Sequence, residues 1–318
     1  MSVQSACHAA RESADQSASS QGARPGMPLA SGWVPGAARR RGPVRASPLG
    51  DRPMPELPDV EIERRHAERW VVGRAIRHVH VPEPEILEDT SPAALGRRLH
   101  GRRVTGSRRH GKYLFLETDG APWLLLHFGM TGHLEQIGKD AQAPEYTDFT
   151  LVLADDSAVA YVAPRKLGRV GVIDDPDAYV AAQGLGPDVL RLDREGFAAL
   201  AEGRRGGTKC WLMDQAAMAG LGNVYTDEIL FRARLHPKTP VAALDADDRR
   251  RLFDAVAEVL RISIEAGADP ARMPKDCLLP HRKPGAACPR CGGPVQQIKA
   301  CGRTAYVCPE CQPPPDGQ

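Results

Sequence analysis

Short apolar runs punctuated by Gly, Asp and Pro dominate the middle of the chain, whereas its later part follows a helical spacing. The runs predict strands over residues 75–81, 102–108, 113–117, 123–128, 149–153, 158–163 and 170–173, and so a β-sandwich or barrel-like domain. Ahead of them, Val60, Ile62, Ala67, Trp70 and Val71 alternate with Glu and Arg, which predicts an amphipathic helix over 60–72 ending near Gly73. Ser91 followed by Pro92 marks the cap and first position of a short helix over 91–99. Leu185-Gly186-Pro187-Asp188 reads as a linker, and helices are predicted over 194–201, 210–218, 224–233 and 245–266. The Gly-rich joint Ala219-Gly220-Leu221-Gly222-Asn223 lies between the middle two. It fits an ordinary Gly-capped helix hairpin, or a turn whose exposed N–H groups and following helix N-terminus hold a phosphate. The pattern as a whole is α+β, strands first and helices after.

Length and charge narrow this picture. A chain of 318 residues can bury a sizeable core and corresponds to about two domains. The net charge of +2 does not announce a nucleic-acid partner, so any such footprint has to be local. No apolar run approaches the ~18–20 residues that span a bilayer, so a soluble protein without a membrane partner is expected. Of eight cysteines, four fall in two Cys-x-x-Cys pairs, which points to metal binding in a reducing, cytoplasmic compartment rather than to a disulfide framework. Residues 1–53 are rich in Ala, Ser, Gly, Pro and Arg, without periodicity, and are expected to be a disordered extension. Arg39-Arg40-Arg41 fits a nucleic-acid arm or part of a transit peptide. Alternatively, Met54 is the true first residue.

Cys288-Pro289-Arg290-Cys291 and Cys308-Pro309-Glu310-Cys311 are separated by sixteen residues. Four thiolates at this spacing fit one closed, structural Zn²⁺ site on two knuckles. Cys301 lies between the knuckles and is expected to be a spare thiol. Lys299, Arg303 and Tyr306 share the intervening hairpin, where an outward cation suits phosphate contact. Three loop clusters carry a structural and a functional reading each. Arg108-Arg109-His110-Gly111-Lys112-Tyr113 is a solvated strand start or a basic grip. His127-Phe128-Gly129-Met130-Thr131-Gly132 is a turn that tucks Met130 under a loop or projects it outward. Pro164-Arg165-Lys166-Leu167-Gly168 repeats a basic pair beside an apolar residue.

Met54-Pro55-Glu56-Leu57-Pro58-Asp59-Val60-Glu61 precedes all of this. If the chain began at Pro55, its secondary amine would be partly neutral near pH 7, since an α-amino group titrates at about 7.7–8.0. Such an amine attacks a carbonyl-like carbon and gives an iminium, and Glu56 beside it can serve as acid or base. The bland alternative is a Pro-rich helix start.

In this order the stretches resemble the formamidopyrimidine-DNA glycosylase and endonuclease VIII family from Met54 to Cys311. The resemblance implies a β-sandwich catalytic domain over 54–184, a helix–two-turn–helix DNA-binding domain over 185–276, a zinc finger over 277–312 and a disordered tail over 313–318. It implies a monomeric enzyme that binds damaged double-stranded DNA, flips out an oxidised base and excises it, with AP lyase activity by β- and δ-elimination. By the same resemblance, Pro55 matches the nucleophile, Glu56 the catalytic acid, Lys112 a phosphate-gripping lysine and Glu61 an acid of the first helix. Met130 matches the residue that fills the vacated base position, and Arg165 the arginine facing the widowed base. Leu167 stands where the family commonly has a Phe wedge, and Lys166 where it has a second Arg. Asn223 and Arg303 match phosphate-binding positions. The stretch 266–287 is short beside relatives that cap 8-oxoguanine with a long loop, which leaves the preferred lesion open. A competing expectation is a non-catalytic DNA-binding protein, should Pro55 remain in an amide bond.

Overall fold

The computed structural model describes residues 55–139 and 141–315; the expected extension over 1–53, Met54 and the last residues of the expected tail lie outside them. The chain opens with α1, Leu57–Trp70, where Pro58 presets the helical φ in the first turn and Asp59 offers a carboxylate to it. Eight strands follow in two antiparallel sheets. One has the order β1 (Ile76–His80), β6 (Thr147–Leu153), β7 (Ala158–Val162), β5 (His133–Ile137). The other runs β2 (Val104–His110), β3 (Tyr113–Thr118), β4 (Trp123–His127), β8 (Arg169–Ile173). A short helix, α2 (Pro92–Leu99), sits between β1 and β2, with the Ser91 hydroxyl accepting the Ala94 N–H at 3.2 Å.

Side-chain alternation explains the layers. Leu114 and Leu116 of β3 face Leu124 and Leu126 of β4 and, from the other sheet, Leu151, Leu153, Val159 and Tyr161; Val60 and Ala67 of α1 join this core. Phe115 between them points to the opposite face, where Leu125 and Val180 cover it. Burying one such side chain contributes about 1.5–3 kcal/mol relative to exposure. Val180 belongs to α3 (Pro176–Ala182), whose start is capped by Asp175 accepting the Asp177 N–H. The sequence pattern predicted neither α3 nor β5. His133-Leu134-Glu135-Gln136-Ile137 is too polar to stand out as a strand, since only Leu134 and Ile137 are buried.

The helical half comprises α4 (Arg194–Ala201), α5 (Thr208–Met213), α6 (Asn223–Ala233) and α7 (Ala246–Glu265) around its own core. The helix expected over 210–218 is corrected: α5 stops at Met213. Asp214 then builds a turn, its side chain taking the Ala216 N–H and its carbonyl those of Ala217 and Met218. Leu57, the first residue of α1, is buried in this helical core rather than among the strands. A final hairpin, β9 (Gln296–Ala300) and β10 (Arg303–Val307), pairs in plain antiparallel register. The strand-then-helix α+β class and the C-terminal cysteine hairpin are as expected.

Candidate active site

Glu56 stands just before α1 and is 2 % exposed. Its carboxylate accepts N–H groups from Gly222 at 2.7 Å, Val224 at 2.8 Å and Tyr225 at 3.3 Å, at the start of α6. A helix start leaves N–H donors without intrahelical partners and carries a partial positive charge, so a carboxylate is the natural occupant. The expectation that the Gly-rich joint exposes these donors to a phosphate is therefore corrected: a side chain from the far end of the sequence takes them. The backbone follows, with the Leu57 N–H donating to the Gly220 carbonyl at 3.1 Å. Only glycine fits at 222, because a Cβ there would lie 2.4 Å from the Glu56 carboxyl carbon.

Charge gathers around this carboxylate. Burial pushes the Glu56 carboxyl above the usual carboxylate range, against the pull of the Lys112 ammonium and the three N–H bonds. Burial also pushes Asp59 up to about 7, with the Glu56 charge adding to the rise; Asp59 Oδ2 accepts the Glu56 N–H at 3.0 Å. The Lys112 ammonium is lowered by burial, opposed by Glu56 and Asp59 and reinforced by the nearby Arg303 cation. Pro55, half-buried, adjoins Glu56 directly. Asn223 opens α6, and its buried Oδ1 has no hydrogen-bond partner. Pro55 and Glu56, Lys112, Asn223 and Arg303 thus come together from four separate parts of the chain.

Sequence reasoning missed what holds Lys112 there. Arg108 and Arg109 looked like one basic cluster, yet their neighbours differ. Arg108 pairs with Asp177 near the surface, while Arg109 is buried and donates twice to Asp188, at 2.5 and 3.1 Å. Asp188 also accepts the Gly111 N–H at 2.7 Å. Glu61, the expected first-helix acid, lies 3.5 Å from Arg109 and pairs with Arg64 and Arg65. The segment that looked like a linker therefore ends in a buried carboxylate that fixes the turn before Lys112. Gly111 adopts φ +54° in that turn, and a Cβ on it would sit 2.8 Å from Ala219 Cβ, so the turn lies directly on the Gly-rich joint. No signal in the sequence distinguishes Arg109 from Arg108.

The other loop residues form a second group. Arg165 and Leu167 are exposed, Leu167 at 52 %, while Met130 is half-buried rather than projecting freely. A Cβ on Gly129 would meet the Leu167 carbonyl at 2.4 Å, so the two loops abut. Among the described residues, Leu167 and Leu190 are the exposed large apolar side chains.

The sulfurs of Cys288, Cys291, Cys308 and Cys311 all lie within 4.8 Å of one another, with Cys288–Cys311 at 3.9 Å and Cys291–Cys308 at 3.4 Å. Tetrahedral thiolates about 2.3 Å from a zinc ion stand roughly 3.8 Å apart, so the set fits a metal ion of that kind. The knuckles rest on α6, where Arg290 donates to the Phe231 carbonyl at 3.0 Å and stacks over its ring. Asp227, in the middle of the same helix, takes the Tyr306 N–H of β10 at 3.2 Å and Arg282 Nε at 2.9 Å. The expectation of a spare thiol at Cys301 is corrected: its sulfur is bonded to that of Cys210 in α5. The four knuckle cysteines gave no hint of it, because the partner lies ninety-one positions earlier.

A β-sandwich joined to a helix–two-turn–helix unit, with a cysteine-knuckle hairpin behind it, describes a recognised class of fold. The formamidopyrimidine-DNA glycosylase N-terminal domain profile matches residues 54–170, and the H2TH domain profile of the same enzymes matches 185–274. The formamidopyrimidine-DNA glycosylase of Geobacter metallireducens is 35% identical over 269 residues, covering 81% of this chain and all of that protein. The Lactococcus lactis Fpg protein in complex with DNA containing N7-benzyl-Fapy-dG superposes with a TM-score of 0.74 at 29% identity, over 82% of this chain and 100% of that one. The same Lactococcus protein with DNA containing an oxidised pyrimidine gives 0.75 at 31% identity, with the same coverage. The chain belongs to the formamidopyrimidine-DNA glycosylase family.

Proposed function

We propose that this protein is a base-excision-repair glycosylase with AP lyase activity, which removes an oxidised base from duplex DNA through a Schiff base at Pro55. One observation carries the reading: the Glu56 carboxyl, adjacent to Pro55, is buried at the start of α6 and held above the usual carboxylate range. Burial thus moves this acid in the direction that favours holding a proton, which is the direction general acid catalysis needs. The Lactococcus lactis protein is seen with DNA containing N7-benzyl-Fapy-dG and with DNA containing an oxidised pyrimidine, so damaged bases of both kinds are the substrates in view.

In the proposed sequence the Pro55 nitrogen lone pair attacks C1′ of the extruded nucleotide, and the damaged base departs with the glycosidic electron pair and takes up the proton that the amine nitrogen sheds. Glu56 delivers its proton to the sugar ring oxygen as the C1′–O bond opens, and the nitrogen–carbon bond becomes an iminium. That cation acidifies the C2′ proton. Its removal, most directly by the Glu56 carboxylate, expels the 3′ phosphate, and a second elimination expels the 5′ phosphate. Lys112, Asn223 and Arg303 bind backbone phosphates around the lesion. Met130 fills the vacated space, Arg165 faces the unpaired base, and Leu167 enters the stack beside it. Cys288, Cys291, Cys308 and Cys311 would hold one structural zinc ion, which would tie together the knuckles behind the Arg303 hairpin.

A second reading rests on one observation: in the full chain Pro55 follows Met54, and an acylated nitrogen has no nucleophilic lone pair. Protein retaining the preceding residues would then bind damaged DNA without cutting it. Borohydride trapping on an abasic duplex separates the two. Protein beginning at Pro55 should be trapped covalently with the cross-link at residue 55, and intact full-length protein should not. Because burial lowers the Lys112 ammonium, the lysine is a real competitor. A cross-link mapping to Lys112 in protein with a free Pro55 would overturn the proposal.

A further inference from the structure

Two sulfurs outside the metal knuckles meet in this structure, and nothing in the proposed chemistry uses them. Cys210 belongs to α5, the first helix of the helix–two-turn–helix unit, and is partly accessible. Cys301 occupies the turn between β9 and β10 and is exposed. Their sulfurs are bonded, and their Cα atoms are 5.2 Å apart, within the usual span of a disulfide. The turn consists of Cys301 and Gly302 alone, with Arg303 and Ala300 as the last pair of the hairpin. Both turn residues have positive φ, 54° and 65°, the arrangement that tight hairpins demand and that Asn-Gly normally supplies. A cysteine in the first place is disfavoured locally, by roughly 1–2 kcal/mol for a side chain in the left-handed region. Its sulfur therefore has a stronger reason to be there than turn formation. Arg303 directly follows the Cys301-Gly302 turn, and its charge reaches Lys112.

We propose that Cys210 and Cys301 are a redox clasp: their disulfide fastens the turn bearing Arg303 to the helix–two-turn–helix unit and tightens DNA binding, and its reduction releases that turn. The DNA half of this statement rests on the function proposed above; the sulfur half does not. Closure is a thiol–disulfide exchange with a low-molecular-weight disulfide as oxidant. The exposed Cys301 thiolate attacks it, forming a mixed disulfide and releasing one small thiol. The Cys210 thiolate then attacks the Cys301 sulfur and releases the second small thiol. Two protein thiols lose their protons, one S–S bond forms in the protein, and one is reduced in the oxidant. A metal ion held by the four knuckle thiolates would keep them out of this exchange. Oxidising conditions, which generate damaged bases, would thus also raise the affinity of the protein for its DNA.

The test uses the full chain, poised in mixtures of oxidised and reduced glutathione, with zinc content followed throughout. Thiol alkylation and peptide mapping should show the 210–301 bond closing while one zinc ion per chain is retained. Binding is then measured on a duplex carrying a tetrahydrofuran abasic analogue, which needs no catalysis. The oxidised form should bind about three- to ten-fold more tightly than the reduced form, the usual scale for pre-ordering one contact loop. Cys210→Ser and Cys301→Asn should each bind like the reduced form whatever the poise, the latter restoring a residue the turn accepts. Arg303→Ala should keep the bond but lose the difference. Both thiols remaining free in oxidised, zinc-loaded protein would overturn the proposal, as would zinc loss before closure or equal affinity of the two forms. Absence of binding in either form would overturn the functional reading and the affinity claim together, and the peptide map tells that outcome from a failure of the pairing itself.

Discussion

The cluster around Glu56 and the pair of loops carrying Met130, Arg165 and Leu167 are built on opposite principles. Around Glu56 most polar groups are committed, the buried Asn223 Oδ1 excepted: three N–H donors hold the carboxylate, Asp59 holds its backbone, and Arg109 with Asp188 fixes the turn before Lys112. The loops instead present an exposed Arg165 and Leu167 beside a half-buried Met130, and touch one another through the bare backbone of Gly129. Chemistry on a fixed bond rewards a group held in place before the substrate arrives. Filling the gap left by an extruded base rewards side chains free to adopt whatever shape the duplex offers. On the proposed function, the contrast between the two regions follows from what each would meet.

The largest expected effect tests the rigid side. Glu56→Gln should lower excision of an intact damaged base by about 10²–10⁴-fold, the range for loss of a general acid. It should spare more of the strand cleavage at a preformed abasic site, where the sugar is already open. Equal losses on both substrates, measured by single-turnover gel assays, would mean that the carboxyl positions α6 rather than donates a proton. Leu167→Ala addresses the adaptable side. It should reduce excision from duplex DNA by about three- to ten-fold and leave the melting temperature unchanged, since exposed substitutions usually shift stability within about 0.5 kcal/mol. A clear loss of thermal stability would show that the loop is a packed element after all.

The smallest expected effect concerns pH. Burial raises Asp59 to about 7 in the folded protein, whereas an unfolded aspartate titrates near 3.9. Between these values the folded state holds a proton that the unfolded state has released. Its contribution to stability is therefore complete below about pH 4 and is lost as pH rises through 7. The melting temperature should fall by a few degrees between pH 5 and pH 8, by roughly the sensitivity expected of a domain this size. Asp59→Asn, which keeps an acceptor for the Glu56 N–H but cannot ionise, should flatten part of that slope. Glu228, likewise raised to about 7 by burial, should preserve the remainder. An unchanged slope in calorimetry would remove Asp59 from the account.

How much of this could be read from the sequence depended on the distance over which each feature is decided. Runs such as Trp123-Leu124-Leu125-Leu126 announce a strand within a few residues, and Cys288, Cys291, Cys308 and Cys311 carry their meaning in their spacing. The octet beginning at Met54 pointed to Pro55 and Glu56 by resemblance. The arrangement of those residues was not legible. Glu56 finds its donors on a helix that begins at Asn223, and Arg109 is separated from the half-buried Arg108 only by which side of β2 it faces. His133–Ile137 was overlooked because a strand paired along one side to β7 needs few apolar residues. Cys301 was misread because a single cysteine shows no spacing until its partner in α5 is known.

The bond between Glu56 and α6 also has a history in time. The carboxylate and its three donors are separated by 166 to 169 residues. At about 5–20 residues per second, some ten to thirty seconds of synthesis lie between the proline and the helix start that completes its surroundings. Until then the growing polypeptide carries an unpartnered acid and an unformed active centre, however well its sheets have assembled. A nascent or truncated product ending before Asn223 lacks the Val224 and Tyr225 donors to Glu56, and on the proposed mechanism it would not cut DNA.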